Sequence, residues 1–149
     1  MTQPVLTRRT LLGFALSTPF LSVITPSIAQ DNPTMQLRFT FHDQSFTATL
    51  ADNASARELA GMLPLDLTIS DFGGNEKIAY LPRKLTQLTR GPFPNAAAGD
   101  LCYYVPWGNL ALFHGGYEST RDLVRLGRLD GAVSPLLVRG EFPLRVEHL

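Results

Sequence analysis

The chain has 149 residues with 13 Lys or Arg and 13 Asp or Glu, and this zero net charge argues against a general nucleic-acid-binding protein, which would carry a basic excess. Hydrophobic residues make up 44% and charged residues 17%, which is typical of one globular domain and too apolar for a disordered chain. A single cysteine, Cys102, excludes an intramolecular disulfide and a zinc site built from several cysteines.

Residues 1–29 have the pattern of an export signal. The start carries Arg8 and Arg9 and no acidic residue, and an apolar stretch diluted by small residues and prolines ends at Ser27-Ile28-Ala29. A membrane-spanning helix is the alternative, but it needs about 20 predominantly apolar residues. Two prolines interrupt this stretch, and no basic cluster follows it. We therefore expect cleavage after Ala29.

The sequence Thr7-Arg8-Arg9-Thr10-Leu11-Leu12 resembles the twin-arginine signal, in which paired arginines precede a mildly hydrophobic segment. The resemblance implies that the folded protein crosses a bacterial inner membrane, with the general secretory route as the alternative. The predicted location is the periplasm, with the export machinery as a partner and membrane contact only through the signal peptide during export. Residues 30–34 are then a short linker, and 35–149 form the folded domain.

The rest of the chain predicts short strands and few helices. Alternating polarity predicts strands at 36–41 and 45–50 with a turn between them, and residues 53–62 have helical spacing with Ser55 and Glu58 as a capping box. Further strands are predicted at 65–72, 77–81, 101–105, 109–113, 123–129 and 142–147, and a second short helix at 132–138. This pattern is typical of a β-sandwich or β-barrel.

Two connections in this scheme bear on function. Residues 82–99 lack any period, which predicts a long surface loop. The strands 101–105 and 109–113 are apolar on both faces, which predicts a central hairpin covered on both sides with Cys102 buried and inert. A three-residue turn at 106–108 would place Asp100 opposite His114. The three histidines have no ligand-like spacing, so we expect no metal site.

Two stretches resemble the signatures of the small cyclophilin-like proteins, a prokaryotic domain family largely without assigned function. They are Glu76-Lys77-Ile78-Ala79-Tyr80-Leu81-Pro82 and the run from Gly99 to Phe113, which contains Tyr103-Tyr104-Val105-Pro106-Trp107-Gly108-Asn109. Leu126-Gly127-Arg128-Leu129 is similar to a late segment of the wider cyclophilin fold. The resemblance covers roughly Met35 to Glu147. It implies a mainly β protein, a closed antiparallel β-barrel of about eight strands with one or two short capping helices.

The sequence departs from the active prolyl isomerases of that fold. Those enzymes carry a Phe-His-Arg-x-Ile-Pro stretch and a Gln-Gly-Gly-Asp element, and neither exists in this chain. Arg83, beside Pro82, is a cation that could in principle assist rotation about a prolyl bond, whose barrier is about 18–20 kcal/mol. A surface arginine in a loop is the alternative interpretation. No catalytic residue is therefore transferred, and whether the protein is an enzyme stays open.

A group of aromatic residues provides the candidate binding site. Aromatic side chains this dense usually form a barrel core, but Trp107 lies in a predicted turn, and rings with one polar edge suit a pocket for a small ligand or an extended peptide. Asn109 offers both donors and an acceptor to orient such a ligand. The candidate ligand-binding residues are Tyr80, Arg83, Tyr104, Trp107, Asn109 and Phe113.

Three functions are consistent with these observations. The first is a non-enzymatic periplasmic protein that binds a small ligand or peptide without a cofactor. The second is a peptidyl-prolyl isomerase with a divergent site, and the third is an interaction protein that pairs through a barrel edge or the long loop. A cleft bordered by Trp107, Tyr104 and Arg83 would favour the first two, and a flat apolar patch would favour the third.

Overall fold

The computed structural model describes residues 33–149 and, within the N-terminal segment, residues 13, 15, 19–24 and 26. The twin arginines and the expected cleavage position lie outside the described residues. The chain divides into the units Met1–Asp31 and Asn32–Leu149, and the strands found in the described residues belong to the second unit. In the part of the chain that the structure describes, no helix has the length and apolar character needed to cross a membrane.

The second unit is a closed antiparallel barrel of eight strands. Their order around the barrel is β1-β2-β7-β5-β6-β4-β3-β8, and β8 pairs with β1 to close it. The strands are β1 Gln36–Phe41, β2 Gln44–Leu50, β3 Leu65–Phe72, β4 Glu76–Tyr80, β5 Asp100–Tyr104, β6 Asn109–Phe113, β7 Leu123–Leu129 and β8 Phe142–His148. One α-helix, α1 (Ala54–Gly61), and a 3-10 helix at Ser134–Leu137 complete the fold. The predicted mainly β barrel is confirmed.

The barrel interior holds the main hydrophobic core. Strand alternation turns every second side chain inward, so that Leu37, Phe39 and Phe41 of β1 are buried while their neighbours are exposed. Tyr103 and Leu110 fill the interior from the other side of the barrel. Each fully buried side chain of this size stabilises the fold by about 1.5–3 kcal/mol.

The start of α1 differs from the prediction. Asn53 caps the helix, because its side-chain oxygen accepts a hydrogen bond from the Ala56 amide at 2.8 Å. The Ser55 hydroxyl instead donates to the carbonyl of Gln87 in the long loop, and Glu58 accepts from the Gln87 amide at 2.7 Å. The predicted capping box of Ser55 and Glu58 is therefore wrong, since both side chains hold the loop rather than the helix end.

The β5–β6 hairpin has a different register from the predicted one. The turn spans four residues, Val105–Gly108, and Leu101 consequently lies opposite Leu112. This one-residue shift brings Phe113 rather than His114 opposite Asp100. The predicted Asp100–His114 pair is wrong.

The hairpin is covered on both faces, as predicted. Leu101 and Tyr103 face the interior, whereas Cys102 and Phe113 belong to a second cluster outside the barrel. Cys102 is completely buried, which confirms its predicted placement.

The segment 82–99 contains no helix or strand, which confirms the predicted loop, and most of its residues are exposed or half-buried. Leu85 and Gly99 are the buried exceptions. Leu85 belongs to the main core, and its amide donates to the Tyr103 hydroxyl at 3.1 Å. The loop is therefore attached to the barrel at its start.

Gly127 lies where β7 passes closest to β2. A Cβ atom at this position would lie 2.2 Å from the Thr49 carbonyl oxygen and 2.9 Å from the Leu50 Cα, so no side chain fits without a backbone shift. We expect Gly127→Ala to lower the free energy of unfolding by about 3 kcal/mol, the upper part of the range for overpacking. Urea denaturation followed by circular dichroism measures this change.

Gly131→Ala is the matched control, because a Cβ atom there meets nothing within 4 Å and the residue is exposed. It should change the free energy of unfolding by less than about 1 kcal/mol. Equal stability of the two variants would contradict the close approach of β2 and β7.

Candidate functional site

A cleft of about 450 Å³ lies on the outside of the barrel. Its floor includes Ile78 from β4 and Asn109 and Phe113 from β6. These side chains point outward because their neighbours Leu110 and Leu112 occupy the interior, and successive side chains of a strand alternate between its faces. The cleft is therefore built on paired strands, whose backbone positions are fixed by the barrel.

Three aromatic rings line the cleft in addition to Phe113. Trp107 lies in the turn between β5 and β6, Tyr104 at the end of β5 and Phe72 at the end of β3. The Trp107 ring centroid is 5.3 Å from that of Phe72 and 5.4 Å from that of Tyr104, and both ring pairs are nearly perpendicular. Edge-to-face contacts of this kind are favourable. These contacts explain why the apolar ring of Trp107 lies in a turn, although the residue remains 47% exposed.

Asn109 contributes a hydrogen-bonding atom with no partner. Its side chain is only 2% exposed, and its Nδ2 donates to the Leu110 carbonyl at 3.0 Å. Its Oδ1 has no hydrogen-bond partner among the described residues. Because an unsatisfied buried acceptor costs about 1–3 kcal/mol, this atom favours any ligand that donates to it.

Two carboxyl groups also line the cleft. Glu76, directly opposite Phe113 in the β4–β6 ladder, is half-buried, and burial raises the pKa of its carboxyl. Asp122 precedes β7, and its nearest cation within residues 33–149 is Arg121, whose Nε lies 4.0 Å from Oδ1. None of the residues that line the cleft is a lysine or an arginine.

The face beside the cleft is covered by Tyr117. The Tyr117 ring stacks on Phe113 at 3.6 Å, its hydroxyl donates to Asp100 Oδ2 at 2.6 Å, and it lies 3.4 Å from Cys102 Sγ. Burial raises the pKa of the Cys102 thiol to about 12, and burial together with the bond to Asp100 raises the pKa of Tyr117. Both groups stay protonated at neutral pH, so neither is an activated nucleophile.

Asp100 is fully buried and ion-paired. Arg128 Nε lies 2.8 Å from its Oδ1, and Arg125 Nη1 lies 3.7 Å from its Oδ2. The Ala97 amide also donates to Oδ2, at 3.0 Å. This cluster ties the end of the long loop and the Tyr117 segment to the start of β5.

Four of the six predicted binding residues line this one cleft, namely Tyr104, Trp107, Asn109 and Phe113. Tyr80 does not. It lies opposite Asn109 in the β4–β6 ladder, but its ring borders a neighbouring groove formed with Asp66, Thr68 and Pro82.

Arg83 also lies outside the cleft. Its Nη1 donates to Glu58 Oε1 at 2.6 Å and to the Lys84 carbonyl at 3.2 Å. Burial of Glu58 opposes its ionisation, but the bonds from Arg83 and from the Gln87 and Thr86 amides outweigh it and hold the Glu58 pKa at about 2. The Arg83 charge is therefore matched by an ionised partner at neutral pH.

Phe72, Glu76 and Asp122 are cleft residues that the sequence analysis missed. Glu76 begins the first stretch quoted for the family resemblance, and strand alternation places it on the same face as Ile78. This alternation could have predicted that Glu76 lines the cleft. Phe72 and Asp122 carry no such signal, because the closure of the barrel alone brings them to the cleft.

The described residues include no group of three His, Cys, Asp or Glu side chains placed to hold a metal ion. The aromatic rings, the buried amide oxygen and the two carboxyl groups instead form a surface suited to a small organic ligand.

The fold is similar to that of a solved structure, the solution structure of the hypothetical protein AF2241 from Archaeoglobus fulgidus. The TM-score is 0.64 at 18% sequence identity, and the similarity covers 82% of this chain and 100% of the archaeal chain. At this identity the likeness concerns the fold alone. No curated protein matches the sequence significantly. Residues 39–147 match the cyclophilin-like family, and because this match spans more than half of the sequence, the chain belongs to the cyclophilin-like family.

Proposed function

We propose that the protein is exported and binds a small ligand or a peptide, without catalysis, in the cleft lined by Tyr104, Trp107, Asn109 and Phe113. The observation that carries this proposal is the unpartnered Oδ1 of Asn109 in a cleft lined largely by aromatic rings. Binding sites typically combine apolar walls with a few polar groups that orient the ligand. The concave shape favours a ligand over a flat surface for protein pairing.

The charges around the cleft support binding without catalysis. Prolyl isomerisation by this fold relies on electrostatic help from a positioned cation, and such contributions are usually the largest in catalysis. The cleft is lined by no lysine or arginine, and Arg83 is engaged by Glu58. Because fold alone does not determine function, the family membership does not supply the reaction.

Ligand binding can be measured through Trp107, the single tryptophan of the chain. We expect small aromatic compounds to shift its emission saturably, because the ring is half-exposed in the cleft. Phe72→Ala should weaken their binding about tenfold, since one aromatic wall is lost. Tyr80→Ala is the matched control, because this ring lies outside the cleft, and it should leave the affinity unchanged.

The same protein should not accelerate cis–trans isomerisation of a proline-containing peptide. Strong acceleration that Arg83→Ala abolishes would replace this proposal by the alternative, an isomerase with a divergent site. An emission of Trp107 that no compound perturbs would contradict ligand binding in the cleft.

The proposed export rests on Arg8 and Arg9, followed by a mildly apolar segment that ends at Ser27-Ile28-Ala29. Replacing both arginines by lysine keeps the charge and removes the twin-arginine pattern. We expect this variant to accumulate as an uncleaved precursor in the cytoplasm of a bacterial host, as judged by cell fractionation. The unaltered protein should appear in the periplasm and begin at Gln30. Normal export of the double variant would indicate the general secretory route.

A further inference from the structure

The charged side chains that line the cleft are both acidic. Glu76 lies on the β4 side of the cleft and Asp122 on the β7 side, and no lysine or arginine among the described residues lines the cleft. The nearest cations within residues 33–149 are Arg121, whose Nε lies 4.0 Å from Asp122 Oδ1, and Lys84, whose Nζ donates to the Pro106 carbonyl at 3.4 Å. The Oδ1 of Asn109 adds a buried acceptor. A ligand that carries hydrogen-bond donors and positive charge matches these groups, whereas an anion meets like charge.

Of the two acidic side chains, Glu76 gains more from a nearby positive charge. Its side chain is half-buried against Phe113, and within residues 33–149 nothing offsets the cost of that burial, which raises the pKa of the carboxyl. A carboxylate that has lost part of its hydration and has no counter-ion is stabilised by any cation that reaches it. In the free protein the Glu76 carboxylate therefore has no counter-ion among the described residues, and a bound cation would neutralise its charge.

The aromatic walls favour the same class of ligand. Trp107 is flanked by Tyr104 and Phe72 at centroid distances of 5.4 and 5.3 Å. The face of a tryptophan ring attracts an organic cation within about 6 Å, and the attraction is strengthened where water is partly excluded. These rings also bury the apolar body that carries the charge.

The ladder register sets the length of such a ligand. Glu76 lies opposite Phe113, and Asn109 is four residues earlier on β6. At about 3.4 Å per residue the two backbone positions are about 14 Å apart, with the apolar side chain of Ile78 between them. This separation leaves room for an apolar body with a polar group at each end.

We propose that the cleft binds a small organic ammonium ion, with its positive end at Glu76, its apolar body over Ile78 and Trp107, and a second donor at the Oδ1 of Asn109. This inference rests on the proposed ligand-binding function and adds the chemical class of the ligand. It predicts selection by charge among molecules of the same shape.

Three probes of nearly equal shape test this selection. They are para-(hydroxymethyl)benzylammonium, para-benzenedimethanol and para-(hydroxymethyl)benzoate, which differ in charge at one end and keep a hydroxyl donor at the other. In titrations of the full chain followed by Trp107 emission, the ammonium ion should bind about tenfold more tightly than the diol, and the benzoate should bind most weakly.

Glu76→Gln should reduce the affinity for the ammonium probe about fivefold to tenfold and the affinity for the diol by less than about twofold, because an amide oxygen still accepts from a hydroxyl group. Glu141→Gln is the matched control, because Glu141 is exposed and lies outside the cleft. It removes the same charge and should change neither affinity. Asn109→Leu should lower the affinities for the ammonium probe and for the diol by similar factors. Both probes carry the same hydroxyl group, which is expected to donate to the Oδ1 of Asn109.

Two results would overturn the inference while leaving the binding function intact. One is equal affinity for the ammonium ion and the diol, or tighter binding of the benzoate. The other is an ammonium affinity that Glu76→Gln does not change. Failure of all three probes to perturb Trp107 at millimolar concentration would instead contradict the proposed function together with this inference.

Discussion

The buried carboxylate of Asp100 is the interaction on which the outer layer of the barrel depends. It is fully buried at the start of β5 and is met by the Tyr117 hydroxyl at 2.6 Å, the Ala97 amide at 3.0 Å and Arg128 Nε at 2.8 Å. An ionised carboxylate without such partners would be very costly to bury. The barrel therefore forms with the loop end and the Tyr117 segment held against β5.

This attachment divides the outer face of the β5–β6 hairpin into two halves. On one half, Tyr117 covers the inert thiol of Cys102 and stacks on Phe113, which also forms part of the cleft floor. On the other half, Trp107 and Asn109 line the cleft, and the Oδ1 of Asn109 is buried without a hydrogen-bond partner among the described residues. The same hairpin thus supplies stability on one side and a binding surface on the other.

The sequence predicted the barrel strands because a period of two reports directly which face is buried. It missed the register of the central hairpin by one residue, since Val105 is apolar and continues the strand pattern although it lies in the turn. Part of the site was predictable for a related reason: one continuous stretch, 104–113, carries four of the residues that line the cleft. Phe72 and Asp122 come from other strands or connections, and they join the site only through barrel closure, which local sequence patterns do not encode.

Amide hydrogen exchange of an Asp100→Asn variant tests most directly whether this carboxylate holds the end of the long loop and the Tyr117 segment against β5. The substitution keeps the size and removes the charge that Tyr117 and Arg128 meet, a loss of about 1.5–3 kcal/mol that corresponds to roughly tenfold to a hundredfold faster local opening. The amides of Phe93 and Val105, bonded to Ser119 and Asp122, should exchange faster by this factor, while those of Leu110 and Leu112 inside the barrel keep their protection. Unchanged exchange at Phe93 and Val105, or equal acceleration throughout the barrel, would contradict the account.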